Sequence, residues 1–270
     1  MIAACCLATA LIAGCAQGPR DTSVQSQVSQ LLRSAYDVTV SRTSLEASID
    51  ISVKSGVDLI ESGRGTTSVW FAKNAGQTQL SAKNGTSSAT VIAVRLGNSF
   101  YEAPTQGELA AHKMDLIQLA KQNPDTLPEI QAAGLDPYQL LTLFSAVKWP
   151  ESVLSEQPTV TADSTGRRTD YEVVIDVQRL SQYVSAADSG WLKVMARESG
   201  GASITVTASL DKNGVSTMTA SLPVPASRPV ASGGGSTHTT KIAPPTAPQL
   251  RVIVTETFDY NKPVSPITAP

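Results

Sequence analysis

"SLEASIDISVK", residues 44–54, is the stretch on which the fold class turns. Leu45, Ala47, Ile49, Ile51 and Val53 alternate with Glu46, Ser48, Asp50, Ser52 and Lys54. A period of two puts the apolar set on one face of a strand and the polar set on the other. A helix would scatter the same aliphatics around its circumference. A long strand with one wet and one dry face requires antiparallel neighbours and apolar cover on the dry side.

The neighbours lie downstream. Short strands are predicted near Thr67 to Lys73, Thr78 to Lys83, Ala89 to Leu96 and Ser99 to Glu102, with Asn84-Gly85 and Gly97-Asn98 between them as hairpin dipeptides. Strands resume at Thr159 to Ala162 and Asp170 to Val177, the second with Tyr171, Val173, Ile175 and Val177 alternating. Then come "ASITVTASL" (202–210) and "VSTMTASLPV" (215–224), joined through Asn213-Gly214. The last is "QLRVIVTETFDY" (249–260), in which Leu250, Val252, Val254 and Phe258 share a face.

Helical spacing appears in four places. Thr22-Ser23-Val24-Gln25 has the form of a capping box and opens a helix from about Ser23 to Tyr36. A second predicted helix covers Gly107 to Gln122, with Leu109, Leu116, Ile117 and Ala120 on one side. A third covers Asp136 to Val147, with Asp136 as cap, Pro137 at the first position and Leu140, Leu141 and Phe144 as its stripe. The fourth runs from about Val177 to Arg197, with Leu180, Val184, Ala187, Trp191 and Val194 in line. Strands, a helical block and more strands predict an α+β domain: a strongly curved antiparallel sheet, close to a barrel, with helices covering one face. The late strands need partners from the early sheet, so residues 23–270 read as a single domain. Pro223 to Gln249, with six prolines and three consecutive glycines, reads as a flexible insertion that contains His238.

Composition excludes several function classes. The chain has 270 residues, is 41% hydrophobic and 16% charged, and carries a net charge of −2 without a long block of either sign. A nucleic-acid binder would show a basic face, so no nucleic-acid partner is expected. Cys5, Cys6 and Cys15 are the only cysteines, and His112 and His238 the only histidines. Cys-x-x-Cys, His-Glu-x-x-His, Gly-x-x-x-x-Gly-Lys and Gly-x-Ser-x-Gly patterns are all absent. The expectation is a non-enzyme with no catalytic residue, no metal ligand and no cofactor. Asp170, Glu172 and Asp176 fall on the polar side of their strand and read as solvent-facing.

Residues 2–14 are uncharged and mostly apolar, thirteen in all, too few for a permanent membrane span but suited to a secretory signal. The run ends Leu11-Ile12-Ala13-Gly14-Cys15, which resembles the lipobox of bacterial lipoproteins. That resemblance implies cleavage before Cys15, a diacylglyceryl thioether on its sulfur, and a small, polar tether over residues 15–22. Residues 1–14 are then a lipoprotein signal peptide. No Lys or Arg stands between Met1 and the apolar run. Two acyl chains hold a protein stably on a membrane where one is marginal. The expected location is therefore the outer face of the cytoplasmic membrane, exported and lipid-anchored in the cell envelope.

The order of elements, with "RRTDYEVVIDVQRL" before a helix and "TETFDYNKPVSPITAP" at the end, resembles the actinobacterial LppX/LprG lipoprotein family. That family shares a half-barrel with the LolA and LolB carriers. Tyr171-Glu172-Val173-Val174-Ile175-Asp176 is similar to a Tyr-x-Val-x-Val-Asp segment of the family, with Ile in place of the second Val. Asn261-Lys262-Pro263-Val264 and the closing Ala269-Pro270 match its terminal turn. The resemblance implies helices over the concave face of the sheet and a lipid or acylated glycolipid bound, and transferred, in the cavity between them. It also implies an envelope transporter or acceptor protein as partner. The predicted lining is Ile49, Ile51, Val53, Ile92, Val94, Leu140, Leu141, Phe144, Val173, Ile175, Ile204 and Val206; the alternative is that the same residues fill a plain core and the protein is a non-catalytic interaction or scaffold lipoprotein. Trp70, Trp149 and Trp191 are candidates for a cavity mouth, and Arg167-Arg168 for an anionic headgroup.

Overall fold

The alternation at 44–54 becomes β1, Ser44–Ser55, in a computed structural model of the chain. The structure describes residues 22–84, 87–121, 135–163, 166–198, 203–224 and 250–264, together with 201, 267 and 270. The signal, the tether and Cys15, the Gly85 turn position and most of the 223–249 insertion with His238 lie outside the described residues. So do the side chains of Arg167, Arg168 and Val194.

Helix α1, Thr22–Val40, precedes β1 and runs four residues beyond its predicted end. Val28, Leu32, Ala35 and Thr39 make its buried stripe. After β1 the chain runs back and forth through β2 (Asp58–Trp70), β3 (Ala75–Asn84), β4 (Ser87–Leu96), β5 (Ser99–Ala103) and the short β6 (Lys113–Asp115). Strand β2 starts nine residues before its predicted start at Thr67. Its first half, "DLIESGRGT", carries too much glycine and charge to show an alternating pattern. Gly63 and Gly65 sit in that half. A Cβ on Gly65 would lie 1.8 Å from the Gln79 carbonyl oxygen, so only glycine lets β3 come this close.

The helical block is shorter and more broken than its spacing suggests. Gly107 to Gln122 is not one helix: it is a 3-10 segment at Gln106–Ala111, then β6, then α2 at Leu116–Lys121. Asp136 to Val147 yields α3 at Gln139–Phe144 and a 3-10 turn at Ser145–Lys148. The predicted helix from Val177 splits into α4 (Val177–Leu180) and α5 (Ala186–Glu198). Asp176 caps α4 by accepting from the Arg179 amide at 3.0 Å. Short helices of this kind are held by packing rather than by propensity.

The second run of strands is β7 (Val153–Asp163), β8 (Gly166–Ile175), β9 (Ile204–Asp211), β10 (Gly214–Val224) and β11 (Leu250–Asp259). The eleven strands among the described residues form one antiparallel sheet, curved and unclosed, ordered β6-β5-β4-β3-β2-β1-β11-β10-β9-β8-β7. The last strand lies beside the first, Val254 opposite Ile51 and Phe258 opposite Ala47. Residues of α1 to α5 and one face of the sheet belong to a single apolar cluster, which includes Leu32, Leu119, Phe144, Leu180 and Leu192 with Ile49, Val206 and Val254. Among the described residues no helix is long and apolar enough to cross a membrane.

Candidate functional site

The pairing registers bring most of the predicted lining residues together. Ile51 faces Val254, Val254 faces Ala220, Ala220 faces Val206 and Val206 faces Val173. Paired residues in an antiparallel ladder point to the same side, so five strands share one aliphatic rung. Ile175 and Ile204 make the next pair. Leu140, Leu141 and Phe144 of α3 pack into the same cluster as Ile49, Val173, Ile175, Ile204 and Val206. All eight are buried. Ile51 and Val53 are only partly buried and lie against the margin of that cluster.

Ile92 and Val94 lie elsewhere. On β4 the residues that face the helices are Ala93 and Arg95, and the even positions point the other way. Ile92 and Val94 therefore join Ala103 and Leu109 in a separate small cluster, with Tyr101, Leu96 and Ile267 against it. Two apolar faces on one strand hide the alternation, so the sequence offered no means of choosing between them.

The inward face is interrupted by charge that the sequence reading missed. Arg95 is fully buried, with its Nη1 2.7 Å from Asp188 of α5 and 3.4 Å from Asp136. Its guanidinium also lies over the Tyr138 ring, 4.9 Å from the centroid. Burial works to lower the Arg95 pKa, but the two carboxylates more than offset it and keep the cation charged. Burial raises the Asp136 pKa, and Arg95 and the Tyr138 amide oppose that shift. Asp136 and Pro137 do not start a helix. They belong to a clamp: Pro137 sits where a Cβ on Gly76 would be 2.6 Å from its ring, and Tyr138 donates its hydroxyl to the carbonyls of Trp70 and Ala75 at 3.1 and 3.0 Å. The helical block is thereby pinned to the ends of β2 and β3.

Glu256 is the second inward charge. It stands on β11 between Ile49 and Met218, at the same parity as Val252, Val254 and Phe258. Burial pushes its pKa up to about 8, Asp136 adds to the rise, and a hydrogen bond from Thr67 works against it. Only Glu256 had a legible signal, because it continues the parity of Val254; Arg95 shares the Val91 and Ala93 face, which the sequence could not mark as inward. Asp170, expected to face solvent, is instead buried and accepts from its cross-strand partner Ser209 at 2.6 Å.

The tryptophans separate. Trp191 is core, edge-on to Phe100 at 4.9 Å, and Trp149 stacks on Tyr183 at 5.2 Å. Trp70 lies on the outward face, in a cleft of about 390 Å³ that it lines with Lys73, Ala75, Leu96, Gly97 and Ile267. The Lys73 ammonium lies over its ring at 4.2 Å.

No protein-family model and no curated protein matches the sequence. Among solved structures the chain is similar to a DUF1329 family protein from Desulfovibrio piger, with 6% identity and a TM-score of 0.36, over 89% of this chain and 95% of that chain. A likeness of that strength carries no functional argument.

Proposed function

We propose that this chain is an exported lipoprotein of the cell envelope, anchored through Cys15, that binds and transfers a lipid or acylated glycolipid on the inward face of a LolA/LppX-like half-barrel whose helices cover the concave side. The reading rests on one observation above the others: the apolar rung from Ile51 to Val173 stays aliphatic across five strands and ends in the partly covered Ile51, with the partly covered Val53 next to it on the same face of β1. A straight-chain ligand needs such a surface, because each buried CH₂ contributes about 0.8 kcal/mol. Entry would be at the Ile51 and Val53 end, with the short helices α2 and α3 giving way as acyl chains slide in. Binding by burial alone needs no cofactor and no covalent chemistry, and a transporter or acceptor protein of the envelope would receive the cargo.

A second reading is favoured by a specific observation. The other ten predicted lining residues are buried, as in a filled core, which suits an interaction or scaffold lipoprotein of the same fold. Native mass spectrometry of the protein purified from a mycolate-containing host separates the two. A bound mass that chloroform–methanol extracts as lipid supports the carrier. A ligand-free spectrum, together with one stoichiometric envelope protein in a pull-down, overturns it.

A further inference from the structure

Strands β1 and β2 end in a hairpin that leaves its aliphatics in water. Ser55 pairs with Asp58, so Gly56 and Val57 form a two-residue turn, with Gly56 at φ +61° as the first turn position requires. Val57 is 93% exposed, Leu59 60% and Ile60 46%. Turn chemistry asks for none of these side chains, and polar residues would serve the hairpin as well. Three large aliphatics within four residues make a patch of the kind that marks an interaction surface.

The placement of α1 limits where the anchor can lie. Ser29 of α1 donates to Glu156 on β7. Glu156 is opposite Val173, and the same ladder leads through Val206, Ala220 and Val254 to Ile51. Ser29 is therefore on the same ladder rung as Ile51, five strands away across the sheet. The other end of α1 is fixed at the opposite end of the sheet, where the Thr39 hydroxyl accepts from the Val215 amide at 3.0 Å. Thr22 then lies about 10 Å further along α1 from Ser29, and the tip lies about 17 Å beyond Ile51 along β1. From Thr22 back to Cys15 is seven residues, a reach of at most about 25 Å. Whatever Cys15 is attached to is held within that reach of the start of α1.

The charges at the hairpin end suit a lipid surface. Lys54 faces Arg251 across the ladder, and Lys83 stands on the same outward side through Ser62 and Ser52. Long basic side chains at the base of an apolar tip can reach headgroups while the tip enters the acyl region. Asp58 and Glu61 are the acidic residues of the same hairpin, so the attraction is local to the outward side. We infer that the β1–β2 hairpin is a membrane-docking element: Val57, Leu59 and Ile60 enter the bilayer that holds the Cys15 anchor, with Lys54, Lys83 and Arg251 against its anionic headgroups. Docking brings the partly covered Ile51 and Val53 to the membrane surface. The inference rests on the lipoprotein reading for its anchor, but not on the presence of a cargo.

The test uses the mature chain from position 15 with Cys15→Ser, which removes the acyl anchor and leaves no other thiol. Val57→Cys, or Leu154→Cys on the exposed edge strand β7 as control, carries an environment-sensitive fluorophore. The probes are vesicles of phosphatidylcholine alone and of equal parts phosphatidylcholine and phosphatidylglycerol. The expected result is a blue shift and intensity gain at position 57 on vesicles, larger with the anionic lipid, and none at position 154. Leu59→Asp with Ile60→Asp lowers the vesicle-bound fraction about tenfold, and Leu154→Asp leaves it unchanged. No response at position 57, an equal response at 154, or a shift that grows with protein concentration in the absence of vesicles overturns the inference. A ligand-free native spectrum together with one stoichiometric envelope protein in the pull-down would overturn the carrier reading and leave the vesicle result standing, so the two failures are distinguishable.

Discussion

Glu256 and Arg95 place two kinds of buried charge in one interior, and they respond differently to change. Glu256 keeps its proton in the folded chain up to about pH 8, whereas an unfolded glutamate releases it near 4.5. Between those values the folded state binds the extra proton, so the contribution of this residue falls as pH rises, by roughly 1 kcal/mol per pH unit, and is level above. Glu256→Gln keeps the shape and a group able to bond Thr67. Thermal unfolding followed from pH 5 to pH 9 is therefore expected to show a flatter profile in the variant, with its largest relative gain at the alkaline end. Arg95 must stay charged to hold Asp136 and Asp188. Arg95→Ala leaves two inward carboxylates without their cation and is expected to cost about 3–5 kcal/mol in urea denaturation. Arg64→Ala breaks an ion pair with Asp50 that is almost fully in water and is expected to cost less than about 1 kcal/mol.

At the scale of elements, the contact between the helical block and the sheet depends on the absence of a methyl group. Pro137 occupies the space a Cβ on Gly76 would need, and its ring cannot rotate aside. Gly76→Ala is expected to lift the 135–138 clamp and destabilise the chain by about 1–3 kcal/mol. Gly107, with nothing within 4 Å of its would-be Cβ, is expected to accept alanine with little change. Equilibrium denaturation of the two variants side by side reads the difference. Gly190 plays a related part in α5, where it lets the α2 backbone approach: a Cβ there would be 3.0 Å from the Leu116 carbonyl. These close approaches explain how helices of six residues persist against the sheet.

For the whole molecule, the decisive contact joins the two ends of the described chain. Strand β11 fills the place between β1 and β10, bringing Val252, Val254 and Phe258 into the core. A chain ending at Val224 would leave two long unpaired strand edges in mid-sheet and an open core beneath them. It is expected to lose cooperative unfolding and to aggregate, as read by light scattering during refolding. The full chain must close β1 onto β11 across some two hundred residues before either half is complete, and such non-local pairing makes folding slow. Stopped-flow refolding is expected to extend into seconds, and core substitutions in β11 to speed unfolding more than they slow folding.

The sequence by itself determined most of the strands and, for β1, β8 and β11, the parity of their faces. Alternation at 44–54, 171–177 and 250–258 is a local property of a chain with one wet side, and turn pairs such as Gly97-Asn98 need no distant partner. It also carried the apolar run ending at Cys15, and with it the expectation of an anchor. Only the tertiary structure decided which face of β4 meets the helices, since both faces of that strand are apolar. It decided as well where the helices stop, because six-residue helices owe their ends to packing and not to propensity. Glu256 was visible as a break in parity and Arg95 was not, and their partners Asp136, Asp188 and Thr67 come from other strands and from the helical block. The exposed hairpin tip is the clearest case. "SGVDLIES" (55–62) lies between the strands expected at 44–54 and from Thr67, and only the structure shows Val57, Leu59 and Ile60 left in water at a hairpin tip. Whether such a tip is covered or left in water is set by what packs over it, a long-range property that no local pattern encodes.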